Sequence, residues 1–487
     1  MPQEVELKLE IDPANLLLLL QDPLLDRDAR SADQVTVYYD TAETALKKHG
    51  FTLRVRNVDG RYVQTVKSAA DSVGLMSRSE IEFDVNSMAP ELGRLADLPV
   101  ADLVADKELV PVIRSDVTRT SSEMELAGSR IRLDVDRGSV RAGKRAEEFA
   151  EIELELVEGT PASLVIAARR LADRVPVRLG VLTKAERGFR LAERKYNKIS
   201  KADAVHVHQG MTIAEAFEVI VHACLKHYRL NEPLVIRVCK AEALHQARVA
   251  MRRLRSAFTL FKPAIEDVEF QHLRHELRWF TSQLGDARNL DVYLKRDLDE
   301  EERVKLMEDR DRAYVRVADA MNSQRFRRLL VDIVGWTAIG SWRSAKPAAR
   351  PITAFANLRL DRLWRTIEGA GRHVAAMDET SRHGLRIQVK KIRYAIEFFE
   401  RLYPQSRHAE KDFGKAVEEL QEELGKLNDL ATARGLGQVA DSGWLIGSYE
   451  ERRHLKSAEE AFSDLLKIGD FWREAAHSKP EAVPEDA

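Results

Sequence analysis

The stretch Glu4-Val5-Glu6-Leu7-Lys8 alternates charged and apolar side chains at the start of the chain. Alternation with a period of two is typical of a β-strand, so Glu4, Glu6 and Lys8 are expected on one face of it. The two carboxylates repel each other unless a ligand binds them, and a divalent cation together with a phosphate chain would satisfy this face. An exposed edge strand with scattered charges accounts for these three residues equally well.

Composition limits the classes of protein to consider. The chain has 487 residues, enough to bury two or more cores, and a net charge of −2, which gives no global field to attract nucleic acid. Its two cysteines provide neither a disulfide framework nor a metal-ligand cluster. The apolar run Leu16–Leu20 is too short to span a membrane and follows no basic leader. We therefore expect a protein of the reducing cytoplasm with no membrane partner.

Residues 1 to about 195 are predicted to form mainly strands, several of which carry charge on one face. The eight candidates are Glu4–Ile11, Gln34–Asp40, Phe51–Asn57, Arg61–Ser68, Arg78–Val85, Val112–Thr120, Arg130–Asp136 and Phe149–Val157. Glu151, Glu153 and Glu155 share one face, as do Arg54 and Arg56. A solvated face usually mixes uncharged polar residues with lysine, so this clustering favours a sheet closed into a tunnel with its charged face inside. Such an interior needs ions of both signs as contents, because unpaired buried charge is costly.

An ordered set of short motifs in this half resembles the CYTH (triphosphate tunnel) superfamily over roughly residues 1–200. The motifs are Glu4–Lys8, Tyr38–Thr41, Gly50–Arg56, Thr65–Lys67, Arg78–Glu82, Asp136–Gly138, Glu151–Glu153 and Thr183–Gly188. The resemblance implies an eight-stranded antiparallel β-tunnel with flanking helices. It further implies that the tunnel binds a triphosphate with a divalent metal and hydrolyses a phosphoanhydride bond.

The resemblance also implies roles for individual residues. The implied ligands of Mg²⁺ or Mn²⁺, hard cations that prefer oxygen, are Glu4, Glu6, Asp136, Glu151 and Glu153. The implied catalytic residues are Glu4, Glu6 and Lys8. The implied phosphate-binding residues are Lys8, Arg54, Arg56, Lys67, Arg119, Lys184 and Arg187. These roles suit phosphoryl transfer, which needs positioning and charge neutralisation more than covalent help.

Two departures from the family pattern bear on substrate preference. Thr120 follows Arg119 where the family commonly has an aromatic residue, and Arg132 stands where an acid is expected. Both leave the choice of triphosphate open.

The second half changes to an apolar period of three or four from Met211, which predicts helices. We expect a domain at 1–197, a linker at 198–210, a helical domain at 211–475 and a disordered tail at 476–487. Breaks between helices are expected near Pro233, Pro263, 347–351 and Pro404.

The helical half contains an internal repeat. His245–Arg255 and His383–Arg393 share the pattern H-x-x-R-[VI]-x-x-[RK]-[RK]-[LI]-R without a gap, 138 residues apart. Gln283–Asn289 and Glu423–Asp429 match at a separation of 140 residues. The near-constant separation predicts a duplicated helical unit, with repeats at about 211–340 and 350–475.

The repeated motif places basic residues on one helix face. Positions i, i+3, i+7 and i+10 lie together, with a further base at i+8 beside them. The surrounding segments 244–265 and 381–396 contain no acidic residue, so the row repels itself and favours a polyanion. A solvated basic face is the alternative, and the matched duplicate weakens it. The predicted polyphosphate-binding residues are His245, Arg248, Arg252, Arg253 and Arg255 in the first copy, and His383, Arg386, Lys390, Lys391 and Arg393 in the second.

These residues, with both downstream Leu-Gly elements, resemble the CHAD domain over about 210–475. The resemblance implies an all-α domain of two pseudo-symmetric four-helix bundles whose basic faces form one surface for inorganic polyphosphate. Together the two resemblances imply an α+β multidomain protein. They predict a metal-dependent inorganic triphosphatase that converts tripolyphosphate to diphosphate and phosphate, with long-chain polyphosphate as a partner in the cytoplasm and at polyphosphate granules.

Three alternatives remain open. The tunnel could prefer an organic triphosphate, as a thiamine-triphosphatase or class IV adenylate cyclase does, although no base-recognition site is identifiable. The protein could be a non-catalytic adaptor on polyphosphate granules. A nucleic-acid-binding module is the weakest alternative, because no stacking strand, groove-reading motif or zinc knuckle is present. No P-loop or nucleophile elbow supports other hydrolase chemistry, and the sequence leaves the oligomeric state open.

Overall fold

The computed structural model describes residues 3–22, 25, 29–68, 75–371, 373–435 and 443–473, and the tail predicted at 476–487 lies outside them. Nine strands form one antiparallel sheet in the described residues. They are β1 Gln3–Glu10, β2 Arg30–Thr41, β3 Phe51–Val58, β4 Arg61–Ser68, β5 Leu75–Val85, β6 Leu109–Leu126, β7 Ser129–Ala142, β8 Arg145–Glu158 and β9 Arg178–Leu179. All eight strands predicted from the sequence are present.

The sheet closes on itself. Its order is β5-β4-β3-β2-β6-β7-β8-β1-β9, and β1 also pairs with β5. Eight strands therefore form a barrel, and the two-residue β9 extends it beside β1. β1 is the closing strand: Glu6 lies opposite Met76 on one side and opposite Glu155 on the other.

Both faces of β1 are buried, for different reasons. Leu7 and Leu9 point outward and are fully buried under helices, whereas Lys8 points inward and is 4% exposed. Asp136 on β7 and Glu151 on β8 are also fully buried. The charged face predicted from the alternation is the barrel interior, as expected for a tunnel.

Five helices accompany the barrel and ten follow it in the described residues. The first five are α1 Leu16–Leu20, α2 Ala45–Lys48, α3 Ala101–Val104, α4 Ala162–Arg174 and α5 Lys184–Ala192. The other ten are α6 Ile213–Val238, α7 Ala241–Ile265, α8 Phe270–Gln283, α9 Gly285–Tyr293, α10 Glu300–Asn322, α11 Gln324–Ile339, α12 Ile352–Gly371, α13 Glu379–Phe399, α14 Arg407–Gly435 and α15 Gly443–Ile468. None of these helices combines the length and apolar character that crossing a bilayer requires.

The helices of the two sequence repeats follow a common order. α12 to α15 are the four helices of the second repeat in the described residues. α6, α7, the pair α8–α9 and α10 are their counterparts in the first, with a break at Leu284, and α11 is an additional helix. α7 and α13 each carry one copy of the basic motif.

One of the expected helix breaks is wrong: Pro233 lies inside α6, which continues to Val238. Pro263 lies in the last turn of α7, which ends at Ile265, so the break expected near it is confirmed. A proline within a helix removes one backbone hydrogen bond, and burial of an apolar face can outweigh that cost. Leu234 and Val235, which directly follow Pro233, are both buried.

The chain divides into two compact units. One comprises Met1–Ala202, Val221–Arg252 and Asp267–Ser341, and the other comprises the remaining residues. The barrel and much of the first helical repeat therefore belong to one unit. Within it, α11 packs closely on α4: a Cβ added at Gly335 would lie 2.6 Å from Val165 Cγ1.

Candidate active site and anion-binding surface

The barrel encloses a cavity of about 810 Å³ lined by side chains of both charges. One end is filled by α5, whose Ala185 and Leu191 pack in a cluster with Ile113, Val140 and Phe149. The charged residues that line the cavity are Glu6, Lys8, Arg54, Arg56, Lys67, Glu80, Glu82, Arg119, Arg132, Glu153, Glu155, Lys184 and Glu186.

Three carboxylates meet deep in the barrel. Asp136 on β7 lies directly opposite Glu151 on β8, and Glu153 follows Glu151 on the same face. One oxygen from each lies within 4.8 Å of the others, so the three could hold a metal ion. Among the described residues, Glu151 Oε2 is buried without a hydrogen-bond partner, as is Oδ1 of the adjacent Asp134. The strand register creates this cluster, because every second residue of β7 and β8 faces inward.

Two lysines neutralise the carboxylate cluster in this structure. Lys184 Nζ lies 2.7 Å from Asp136 Oδ2 and donates to Glu151 Oε1 at 2.5 Å. Lys8 Nζ donates to Glu153 Oε1 at 2.6 Å and to Glu151 Oε1 at 3.2 Å. Burial alone would lower the pKa of Lys184, but the carboxylates raise it above its ordinary value. Both ammonium groups therefore stay charged inside the barrel.

Arg119 on β6 binds the cluster from another side. Its Nη1 donates to Asp134 Oδ2 at 2.7 Å, and its Nε donates to Asp136 Oδ1 at 2.7 Å. Its Nη2 also contacts Glu153. The fork geometry of arginine suits such simultaneous contacts. Arg119 therefore lies with the acids, although the resemblance assigns it to the phosphate.

Three further cations, Arg54, Arg56 and Lys67, lie on the wall formed by β3, β4 and β5. Arg54 Nη2 donates to Glu80 Oε1 at 3.0 Å, and Lys67 Nζ lies 2.5 Å from Glu80 Oε2. Arg56 Nε donates to the hydroxyl of Thr36 at 3.3 Å. Burial and the nearby guanidiniums of Arg54 and Arg119 lower the pKa of Arg56 to about 10. A bound anion would relieve that repulsion, which makes this wall suitable for phosphate.

α5 brings Lys184 and Arg187 into the barrel. The helix begins with a capping box in which Thr183 and Glu186 satisfy each other's backbone N–H groups. Arg187 is 6% exposed; it donates to Glu10 Oε1 at 2.7 Å and to Glu147 Oε1 at 2.9 Å. Its Nε lies 4.0 Å from Glu151 Oε2, so it borders the carboxylate cluster.

Two of the three site residues predicted on β1 have described side chains, and both face the cavity. Lys8 contacts the carboxylate cluster, and Glu6 lines the cavity opposite Glu155. The side chain of Glu4 lies outside the part of the chain that the structure describes. Arg132 also lines the cavity and donates to Glu155 Oε2 at 3.1 Å, so this departure from the family pattern adds a cation to the tunnel wall.

In the first helical repeat, α7 brings part of its basic motif close to α9. Burial and the guanidiniums of Arg252 and Arg288 lower the pKa of Arg248. Arg248 Nη1 and Arg252 Nε are buried without a hydrogen-bond partner in the described part of the chain. Burial and the same cations, Arg288 foremost, lower the pKa of His245. Cations that repel one another and keep unsatisfied donors favour an anion between them.

The second copy shows the corresponding contact between motifs. His383 Nδ1 lies 2.7 Å from Asn428 Oδ1, and Asn428 is the counterpart of Arg288 in the downstream repeat element. Arg386 Nε and Arg393 Nε are buried without a hydrogen-bond partner in the described residues. Lys390 and Lys391 lie between them on α13, half-buried. Arg255 is likewise half-buried on α7.

The structure does not place Arg253 on the accessible basic face. Arg253 is 1% exposed, its Nε lies 2.7 Å from Glu397 Oε1, and its guanidinium lies over the Phe398 ring at 5.6 Å. The contact with Glu397 is an ion pair without hydrogen-bond alignment, since Nε has no hydrogen-bond partner within the described parts of the chain. A polymer cannot reach this side chain, so the expectation for Arg253 is corrected.

Comparison with known proteins identifies both halves. The family model of the CYTH domain matches residues 2–189, and that of the CHAD domain matches residues 219–438. The chain carries a CYTH domain followed by a CHAD domain. An inorganic triphosphatase from Haemophilus influenzae is 28% identical over 200 residues, which are 40% of this chain and 57% of that relative's length.

Two solved structures resemble one domain each. The CHAD domain from the plant Ricinus communis is 28% identical and covers 58% of this chain and 98% of its own, with a TM-score of 0.44. A putative adenylyl cyclase from Hippeastrum, described as having a dominant triphosphatase activity, is 20% identical and covers 40% of this chain and 97% of its own, with a TM-score of 0.29.

Several residues of the CYTH site were not singled out from the sequence. Glu10 and Asp134 continue the alternation of strands whose other members were assigned, so that signal was available. Glu147 also lies an even number of residues before Glu151. Arg288 in the CHAD domain follows Gly285 in a recognised repeat element, but its neighbours on α7 are known only from the fold.

Proposed function

We propose that the CYTH domain is a metal-dependent inorganic triphosphatase that hydrolyses tripolyphosphate to diphosphate and phosphate. The observation that carries the proposal is the carboxylate cluster beside a wall of arginines and lysines inside one closed barrel. The similarity to an inorganic triphosphatase supports the same reaction class.

The residues fit a divalent metal. Asp136, Glu151 and Glu153 provide hard oxygen donors within reach of one ion. Oε2 of Glu151, which accepts no hydrogen bond from the described residues, is a buried acceptor that such an ion would satisfy. We propose these three as ligands, with Glu6 and Glu4 contributed by β1. When bound, Mg²⁺ or Mn²⁺ supplies positive charge that neutralises phosphate oxygens.

The chain's own cations would bind and orient the phosphates. Arg54, Arg56 and Lys67 line one wall of the cavity and offer charge-assisted hydrogen bonds to a phosphate chain. Lys8 and Lys184, which neutralise the carboxylates in this structure, would bind the phosphate when the carboxylates bind a cation. The buried charges would therefore stay paired both with and without ligands, which limits the free-energy cost of burying them.

For the CHAD domain we propose binding of inorganic polyphosphate through the basic residues of α7 and α13, without Arg253. The unsatisfied donors of Arg248, Arg252, Arg386 and Arg393 support it. The placement at polyphosphate granules and the domain limits at 197 and 211 remain predictions.

The decisive experiment measures phosphate release from tripolyphosphate with Mg²⁺ or Mn²⁺, with ATP and thiamine triphosphate in parallel. Glu6→Gln removes a proposed ligand, and Glu158→Gln, on β8 with a side chain 79% exposed, is the matched control. We expect metal-dependent release from tripolyphosphate that is lost in E6Q and kept in E158Q.

Other outcomes would replace the proposal. Preferential hydrolysis of ATP or thiamine triphosphate would make the domain an organic triphosphatase. Metal-dependent binding of tripolyphosphate without hydrolysis of any substrate would make the protein a polyphosphate adaptor.

A further inference from the structure

Glu10 joins the tunnel to the first helix of the CHAD domain. Its Oε1 accepts from Arg187 Nη2 at 2.7 Å, and its Oε2 accepts from Arg229 Nη2 on α6 at 2.8 Å. Arg187 and Arg229 are 6% and 4% exposed, respectively. The carboxylate is therefore shared between Arg187, which the family resemblance assigns to the phosphate, and an arginine that lies about 40 residues further along the chain.

Arg229 is itself held in place on several sides. Its Nε donates to the carbonyl of Leu179 at 2.8 Å, and its guanidinium contacts Glu232 on the next turn of α6. Glu232 also pairs with Arg178 Nη1 at 2.8 Å. Three carboxylates and three guanidiniums thus balance in one cluster, formed by Glu10, Glu147, Glu232, Arg178, Arg187 and Arg229.

A second contact joins α6 to α5, the helix that carries Arg187. Lys226, one turn before Arg229 on α6, donates from Nζ to Glu186 Oε1 at 2.6 Å. Glu186 is the residue whose other oxygen caps the first turn of α5 through the N–H of Thr183. α5 carries Lys184 and Arg187, so α6 touches both its N-terminal cap and, through Glu10, its arginine.

We propose that Arg229, acting through Glu10, is a positioning residue of the triphosphate site, so that the first helix of the CHAD domain completes the CYTH tunnel. This inference rests on the proposed function. Arg229 shares the charge of Glu10 and so weakens the hold of that carboxylate on Arg187, whose second partner is Glu147. Without Arg229, the buried carboxylate of Glu10 would bind Arg187 more strongly and would hold it away from a phosphate.

This arrangement predicts that two variants change the KM for tripolyphosphate in different ways. Arg229→Gln should raise the KM for tripolyphosphate about tenfold, because Arg187 contributes to binding in the ground state as well as in the transition state, and kcat should change less than about twofold. Glu10→Gln removes one of the two carboxylates that bind Arg187 and should leave KM unchanged or lower it. The double variant should match E10Q, because no carboxylate is then shared between Arg229 and Arg187.

Arg237→Gln is the matched control. Arg237 lies two turns after Arg229 on α6 and pairs at 3.1 Å with Asp12, two residues after the end of β1, but its side chain is 67% exposed. R237Q should retain the KM and kcat of the wild type. Arg229→Lys, which restores the charge at Glu10, should recover part of the loss.

The experiment measures steady-state kinetics of the full-length chain. Calorimetry in the presence of EDTA additionally measures the affinity for tripolyphosphate without metal and without turnover. A KM of R229Q within twofold of wild type, or a double variant as impaired as R229Q, overturns the inference. If R229Q does not fold, E10Q still decides, since a raised KM in E10Q contradicts the model of charge sharing.

Failure of this inference is distinguishable from failure of the proposed function. If the wild type binds tripolyphosphate without hydrolysing it, the proposed function falls and the dissociation constants in EDTA test the positioning role. If the wild type does not bind tripolyphosphate, both fall.

Discussion

Lys8 Nζ lies 2.6 Å from Glu153 Oε1, and the two residues are direct neighbours across the pairing of β1 with β8. Lys184 Nζ reaches the same oxygen at 3.1 Å. A proposed metal-ligand atom is thus occupied by two ammonium groups of the protein. A divalent cation must compete with those groups for Glu153, whereas a triphosphate draws them away, so metal and substrate should bind with positive coupling.

Lys184→Met should show this competition directly. Removing a cation from three carboxylates makes the site more negative, so we expect Mn²⁺ to bind the substrate-free variant several-fold more tightly, while hydrolysis of tripolyphosphate falls at least tenfold. Mn²⁺ titration by electron paramagnetic resonance measures the affinity. Lys195→Met, which removes a lysine 63% exposed just beyond α5, is the control and should alter neither quantity. Weaker Mn²⁺ binding to K184M would contradict the competition.

The double variant Arg248→Gln/Arg252→Gln tests the basic face of α7. We expect the dissociation constant for long-chain polyphosphate to rise at least tenfold and its salt dependence to flatten, because fewer cations neutralise the polymer. Arg325→Gln is the control, since Arg325 already pairs with Glu276 at 2.6 Å and stacks on Trp279. Fluorescence anisotropy with labelled polyphosphate, competed by duplex DNA, gives the measurement. Displacement by DNA at equal phosphate concentration would favour nucleic acid as the partner instead.

Gly138→Ala should destabilise the barrel beside the carboxylate cluster. A Cβ at this position would lie 2.1 Å from the carbonyl oxygen of Asp116, which is backbone and cannot rotate away. We expect a loss of about 1–3 kcal/mol in the free energy of unfolding and weaker Mn²⁺ binding, because Asp136 lies two residues away on β7. Gly93→Ala, where an added Cβ meets no atom within 4 Å, should be neutral in the same urea titration. Equal stability of the two variants would refute the steric argument.

Glu410 on α14 should make the second unit less stable at high pH. Burial, with the nearby carboxylate of Glu400, raises the pKa of Glu410 to about 8, against the opposing effect of Arg407 and Lys411. The folded state therefore keeps a proton that the unfolded state loses near pH 4.5, so stability falls as pH rises from about 5 to 8. Glu410→Gln should remove this decline and should have a larger free energy of unfolding than the wild type at pH 9.

Hydrogen exchange of peptides from α14, compared between variants at the same pH, measures this difference in the relevant unit. Glu418→Gln, an exposed change on the same helix, should follow the wild type at every pH. If α14 of E410Q exchanged faster than α14 of the wild type at pH 9, the ionised Glu410 would stabilise the fold, which contradicts the predicted effect of pH.

Much of the barrel could be predicted because its alternation is local. Glu151 and Glu153 are two residues apart, so the strand period alone places them on one face, and the closed sheet turns that face inward. The pairing of Lys184 with Asp136 could not be derived in this way, because it depends on a helix packing into one end of the barrel. Sequence motifs named both residues without indicating that they neutralise each other.

The helical half shows where periodicity misleads. At about 100° per residue, the first, fourth, eighth and eleventh positions of the motif fall within about 80° of one another. Arg253, at the ninth position, lies about 80° from the first position in the opposite direction around the helix. On that side α7 packs against its neighbours, and Arg253 is buried against Glu397. Pro233 misled for another reason: the loss of a single backbone hydrogen bond does not end a helix whose apolar face continues.

The position of β1 in the barrel has a consequence for how the protein folds during synthesis. β1 is made before the other strands, and it pairs with β5 over Gln3–Leu7 and with β8, which begins at Arg145, over Glu6–Glu10. Lys8 lies only in the pairing with β8, so its place opposite Glu153 waits for more than a hundred further residues, and contacts of such long sequence separation form slowly. The carboxylate cluster with its lysines should consequently be among the last parts of the barrel to assemble.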